Sequence, residues 1–163
     1  MPQRKKTHAM RVLDAMGIAY TATTYDPQGD FHTAEEAAEL LGQLPETIYK
    51  TLVVLGESDP RRKPLLVMIP SGAHLDLKRL ADATGDKKLR MATQREAEQL
   101  TGMLAGGISA LGLQRPSAFE ILIDERAQTL DTIHVSAGER GTGLALRPAD
   151  LIAAANANTV RLS

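Results

Sequence analysis

The sequence predicts a mixed α/β fold, a largely antiparallel sheet or barrel surrounded by helices. Three observations lead there. Two apolar runs, 47–55 and 64–69, flank a short polar stretch in the manner of two strands joined by a loop. Helical stripes, each with a cap and a glycine stop, are interspersed among the strand candidates. The order of strands and helices also lacks the regular alternation of a doubly wound sheet. At 163 residues the chain reads as one domain, 1–163, because about 150 residues is the usual size for a single core.

The elements follow in order. Ala9, Val12, Leu13 and Met16 obey the helical i, i+3, i+4, i+7 rule with Gly17 just beyond, which predicts a helix over 4–16. Residues 19–26 read as extended. Thr33 and Glu36 form a capping box ahead of the stripe Ala37, Leu40, Leu41, and Gly42 ends that second helix. Pro45 opens the strand over 47–55. The run 64–69 is continuously apolar, as suits a strand buried on both faces, and 57–63 is the polar hairpin connection. Asp76 caps a helix carrying Leu77, Leu80 and Ala81 and ending at Gly85; Thr93 with Glu96 caps another ending at Gly102. Residues 89–92 form a short strand between them. A glycine-rich loop over 105–112 precedes three strand candidates, 119–123, 131–136 and 142–147. A last helix starts at Pro148, a residue suited to a first helical turn, and runs through Ala155.

Composition narrows the chemistry. Only Tyr20, Tyr25, Phe31, Tyr49 and Phe119 are aromatic, so the core is aliphatic. The absence of cysteine excludes disulfides, a thiol nucleophile and a thiolate zinc site. The basic N-terminus leads into an amphipathic pattern instead of an uninterrupted apolar region, which argues against a signal peptide. No run approaches the roughly 18 apolar residues of a membrane span. The expected setting is the cytoplasm, with no membrane partner. Nineteen basic residues against twenty acidic ones do not create the positive field of a protein that grips long nucleic acid, and no DNA partner is expected. Local groups such as Arg4-Lys5-Lys6, Arg61-Arg62-Lys63 and Lys78-Arg79 permit a weak contact with a phosphate backbone, or are simply solvated.

Lys50 is the most informative residue, because it alone among the lysines is set inside an apolar stretch, Thr47-Ile48-Tyr49-Lys50-Thr51-Leu52-Val53-Val54-Leu55. In a strand, Ile48, Lys50, Leu52 and Val54 share one face. A cation there either faces a pocket that receives an anion or a polarised oxygen, or sits at a strand end and reaches its ammonium to water.

Two further segments draw attention. In Gly106-Gly107-Ile108-Ser109 the glycines allow close backbone approach, so the amides are able to address an oxyanion; equally, the segment makes a tight turn. It matches neither the dinucleotide fingerprint nor a P-loop. In His134-Val135-Ser136-Ala137-Gly138 a strand ends at Ser136, which either donates to a substrate or caps the turn. No G-x-S-x-G elbow surrounds it, so a nucleophilic serine is unsupported. His134 falls on the same strand face and reads as a neighbour. His32 and Glu36 are four apart, but no second histidine completes a metal pair, and no metal or other cofactor is expected.

These segments, in this order, make the chain resemble the YbaK/EbsC family of aminoacyl-tRNA deacylases, relatives of the editing domain of bacterial prolyl-tRNA synthetases. The likeness runs from about residue 8 to 155 and rests on five pieces: Thr24-Tyr25-Asp26, Tyr49-Lys50-Thr51-Leu52, Leu75-Asp76-Leu77-Lys78, Thr101-Gly102 with Gly106-Gly107-Ile108-Ser109, and Val135-Ser136 with 138–141. The resemblance implies a compact mixed barrel and hydrolysis of the ester between a mischarged amino acid and the tRNA 3′-adenosine, typically cysteine on proline tRNA. It implies that Lys50 is the catalytic lysine holding the 3′ end, that the amides of Gly106, Gly107, Ile108 and Ser109 flank the carbonyl, that Ser136 lines the pocket, and that Tyr25 and Phe31 form its wall. The implied partners are the aminoacylated tRNA 3′ end and prolyl-tRNA synthetase. Attack would come from water or from the substrate thiol itself. Two residues depart from the family pattern: Ala110 replaces a proline and Met103 a tyrosine, which points to alanine or another small amino acid as alternatives to cysteine. A non-catalytic module binding aminoacyl-tRNA or a synthetase, and an esterase of small esters, are the rival readings.

Overall fold

The strand that organises the molecule is the one the sequence marks as buried on both faces. β3 (Leu65–Pro70) has every residue buried. Alternation sends Leu66 and Met68 to one side and Leu65, Val67 and Ile69 to the other, into two separate apolar clusters. The computed structural model describes residues 5–26 and 32–162. In chain order the remaining elements are α1 (His8–Ala15), β1 (Thr21–Thr24), α2 (Ala34–Leu41), β2 (Tyr49–Gly56), α3 (Leu77–Thr84), β4 (Leu89–Met91), α4 (Gln94–Thr101), β5 (Glu120–Asp124), β6 (Ile133–Ser136), β7 (Thr142–Leu146), α5 (Pro148–Ala155) and β8 (Asn158–Val160).

Five strands form one sheet in the order β4-β2-β3-β5-β8 and three form another in the order β1-β7-β6. β2 pairs antiparallel with both β3 and β4, whereas β3–β5 and β5–β8 are parallel. The smaller sheet is antiparallel throughout. An isolated parallel bridge between Ile48 and His134 joins the two sheets at one corner. The larger core fills the space between the sheets with Leu13 of α1, Leu66, Met68, Ile123, Ile133, Leu144 and Leu151 of α5. The smaller core lies on the outer face of the five-stranded sheet, where α3 adds Leu80 and Ala81. Burying one such leucine contributes about 1.5–3 kcal/mol. No helix among the described residues is long and apolar enough to cross a membrane.

The mixed, largely antiparallel architecture with surrounding helices is the one expected. Boundaries moved where local capping decided them. The first helix begins at His8 instead of residue 4 because the Thr7 hydroxyl oxygen accepts from the Met10 amide at 3.3 Å. Pro45–Thr47 folds as a single 3-10 turn before the lysine strand. Thr93 and Glu96 complete a full capping box. At α2 only half the box forms: Thr33 accepts from the Glu36 amide, while the Glu36 carboxylate accepts from the Thr33 hydroxyl and meets His32. Glycines 42, 85 and 102 all end helices in the left-handed region, as predicted. β8 was not expected; three residues paired to one neighbour carry no periodic signal.

Candidate functional site

The corner where the two sheets meet is also where they part. Beyond the Ile48–His134 bridge β2 and β6 do not continue as a ladder. A cavity of about 290 Å³ opens there, lined by Ile48 to Val53 of the β2 segment, by Val135 and Ser136 of β6, by Ala105, Gly106 and Ile108, and by Ala37 and Leu41 of α2. Most of this wall is aliphatic. Lys50 is the one lysine lining the cavity, half-buried, and its ammonium makes no hydrogen bond or ion pair with any of the described residues. Lys50 is the second residue of β2 and lies on the cavity wall.

Tyr25 and Leu41 converge above Gly143 of β7: a Cβ added there would meet Leu41 Cδ1 at 3.8 Å and Tyr25 Cε1 at 3.9 Å. Burial pushes the Tyr25 phenol above its ordinary value, so it enters any reaction as a neutral donor. Tyr49, also on the wall, is pushed up to about 12, first by burial and then by Asp124. Two histidines line the cavity and are biased in opposite directions. His32 Nε2 lies 2.6 Å from Asp26 Oδ2 and its Nδ1 3.2 Å from Glu36 Oε2, and these hydrogen bonds raise the imidazole above its usual range. His134, half-buried with only desolvation acting on it, is lowered. The two imidazoles are thus shifted in opposite senses, His32 by its carboxylate partners and His134 by burial.

The loop over 104–109 is fastened to the turn after β6. Arg140 Nε donates to Ala105 O at 2.7 Å, and Gly107 is packed so closely that a Cβ would come 2.7 Å from the Glu139 carbonyl carbon. The Gly107 amide donates to Leu104 O at 2.9 Å. Ser109 is buried and its hydroxyl oxygen accepts from the Leu111 amide at 3.1 Å. Gly107 and Ser109 therefore shape the loop and are not among the residues that line the cavity. Gly106 and Ile108 do line it. Ser136 lines it too, while its hydroxyl oxygen accepts from the Gly138 amide at 3.1 Å, so it caps the turn as well. Phe31 lies outside the described residues.

Residues 28–154 match the profile of the aminoacyl-tRNA editing domain. The chain belongs to this family of deacylases. A protein of Enterococcus faecalis, provisionally named the Cys-tRNA(Pro)/Cys-tRNA(Cys) deacylase EbsC, is 35% identical to it over 153 residues, 94% of this chain and 90% of that protein. A proline–tRNA ligase of Limosilactobacillus fermentum is 27% identical over 111 residues, 68% of this chain and 19% of the ligase. A crystal structure provisionally described as a trans-editing enzyme for prolyl tRNA synthetase has a TM-score of 0.80 at 26% identity, covering 98% of this chain and 99% of that one.

Within the editing-domain family this chain's two departures acquire a physical meaning. Met103 packs beneath the loop: a Cβ added at Gly112 would sit 2.6 Å from its sulfur and one at Gly138 3.7 Å away. Ala110 is buried in the larger core. Neither lines the cavity. Sequence reasoning also passed over His134 and His32 as cavity residues. The signal for His134 was its place on the strand face of Ser136; His32 had none, because its position is tied to its hydrogen bond with Asp26.

Proposed function

We propose that this editing-domain protein acts in trans on mischarged tRNA and removes cysteine from proline tRNA, with Lys50 as the catalytic residue and prolyl-tRNA synthetase as its partner in the cytoplasm. The observation that carries the reading is Lys50 itself: a lysine in a mostly aliphatic cavity wall, with no counter-ion among the described residues. An incoming phosphate or ester oxygen supplies the missing anion. The likeness to a protein named for Cys-tRNA(Pro) deacylation, and to two thirds of a chain's length within proline–tRNA ligases, supports the substrate.

Tyr25 and Ser136 form part of the wall, and the backbone at Gly106 and Ile108 flanks the ester. None is an activated nucleophile. In our reading the substrate's own thiol attacks: sulfur bonds to the acyl carbon, the ester C–O bond breaks, and the thiol proton ends on the released 3′-oxygen. The protein supplies orientation and charge, which suffices for an already activated ester. The whole chain, 1–163, acts as one domain.

The test is proline tRNA charged with cysteine, alanine or serine, followed for ester loss beside a Lys50→Ala control. Loss of the cysteine ester alone, abolished in the control, supports the proposal. No loss from any species while tRNA stays bound would replace it with a non-catalytic binding module.

A further inference from the structure

Among the described residues, no strand pairs with the cavity side of β2 where it passes the cavity. On its other side it pairs with β3 through Lys50↔Ile69 and Leu52↔Val67, and Ile48 O accepts the Ser71 amide at 2.7 Å. In an antiparallel pair each residue directs its N–H and C=O to the same edge, and successive residues alternate. Lys50 and Leu52 therefore address β3, while Tyr49, Thr51 and Val53 address the opposite edge. Val53 O accepts the Ala92 amide at 2.9 Å on that edge, as this alternation requires. There β4 pairs only with Val54 to Gly56, and β6 meets it only at the isolated Ile48–His134 bridge. Between these points no strand among the described residues pairs with the edge at Thr51, and that stretch is cavity wall.

An α-aminoacyl ester carries its nitrogen and its carbonyl oxygen in the same relation as one residue of a peptide. Resting on the deacylase reading above, we propose that Thr51 recognises the aminoacyl group as if it were a strand residue: Thr51 C=O accepts from the substrate α-ammonium and Thr51 N–H donates to the acyl carbonyl oxygen. This is the pair of bonds that facing antiparallel residues exchange. The amide bond polarises the carbonyl that is attacked. Facing residues place their side chains on one face, so an L-amino acid directs its side chain to the Thr51 face, where Val53 and Ala97 of the larger core border the cavity. A D-amino acid would direct it to the Lys50 face. The site is thereby specific for L-α-aminoacyl groups.

Two measurements test this. Adenosine derivatives carrying L-alanine, D-alanine or propionate in a 3′-amide, which is not hydrolysed, serve as binding probes. The Thr51 amide proton signal is expected to shift downfield with the L-alanyl probe, and the propionyl probe, which lacks the ammonium, to bind at least about tenfold more weakly. In the second, Thr51 is replaced by its α-hydroxy analogue, which keeps the side chain and removes only the N–H. Because that N–H is outside the β2–β3 ladder, folding is expected to persist while kcat/KM falls about tenfold or more. A Thr51 amide unmoved by saturating probe, equal binding of the D and L probes, or full activity of the α-hydroxy variant would each overturn the assignment. Wild-type protein that deacylates no charged tRNA, yet whose Thr51 amide responds to the L probe, would sink the deacylase reading and leave this one standing.

Discussion

The Gly141 carbonyl oxygen holds Tyr25 in the cavity wall, accepting its amide at 2.9 Å and that of Asp26 at 3.3 Å. Gly141 has φ of +84°, and a Cβ there would collide with the Asp26 carbonyl oxygen. Gly141→Ala is expected to cost about 1–3 kcal/mol of stability from the backbone conformation and the collision together. The displaced Tyr25 should lower deacylation more than global unfolding explains. Thermal unfolding and kcat/KM measured on one preparation separate the two effects.

Lys50→Ala removes the cation from the cavity wall. Deacylation is expected to fall about 100-fold or more, the scale for losing one charge-stabilising group, with little change in Tm because the Lys50 ammonium has no partner among the described residues. Lys50→Arg should not restore the rate, since a planar guanidinium does not place a point charge in the same spot. Single-turnover rates on Cys-tRNA(Pro) decide this; near-wild-type rates in Lys50→Ala would remove the residue from the mechanism.

His32 is raised by its hydrogen bonds to Asp26 and then Glu36. Its folded pKa therefore lies above the unfolded value near 6.5, so its stabilisation is fully present below that value and is lost as pH rises through the folded one. The Tm deficit of His32→Ala should accordingly be larger at about pH 5.5 than at about pH 9. A deficit independent of pH would mean the pair is structural only.

Glu96 behaves in the opposite sense. Its carboxyl is pushed down to about 2, first by Arg90, whose Nη1 and Nη2 each donate at 2.8 Å, and then by the Thr93 amide. The stabilisation is present above the ordinary value of 4.5 and disappears as pH falls through about 2. Glu96→Gln should flatten the acid limb of the stability profile across that window, as read by circular dichroism.

Met103 and Ala110 lie beneath and beside the loop, outside the cavity. Met103→Leu should leave the ratio of kcat/KM for cysteine over alanine within about threefold of wild type. Ala97→Val, whose added methyls enter the cavity wall, should shift that ratio further. A Met103 variant that switches the preferred amino acid would contradict the packing.

Much of the fold was legible in the residues. The continuous apolar run at β3, the capping threonines and aspartate, and the glycines at 42, 85 and 102 act through local backbone geometry, which sequence spacing reports directly. Lys50 was legible as well, because a cation among aliphatics violates the strand's own pattern. The sequence by itself determined the elements, the aliphatic core and the one residue out of place. Only the tertiary structure decided that β6 touches β2 once and then diverges, which opens the cavity, leaves the Thr51 edge without a strand, and brings His134, Tyr25 and Leu41 around Lys50. It also decided that Gly107, Ser109 and Met103 serve the loop. The strand bridge and the cavity wall depend on contacts far apart in sequence, Ile48 with His134 and Tyr25 with Gly143, and no local period or cap encodes where two strands separate.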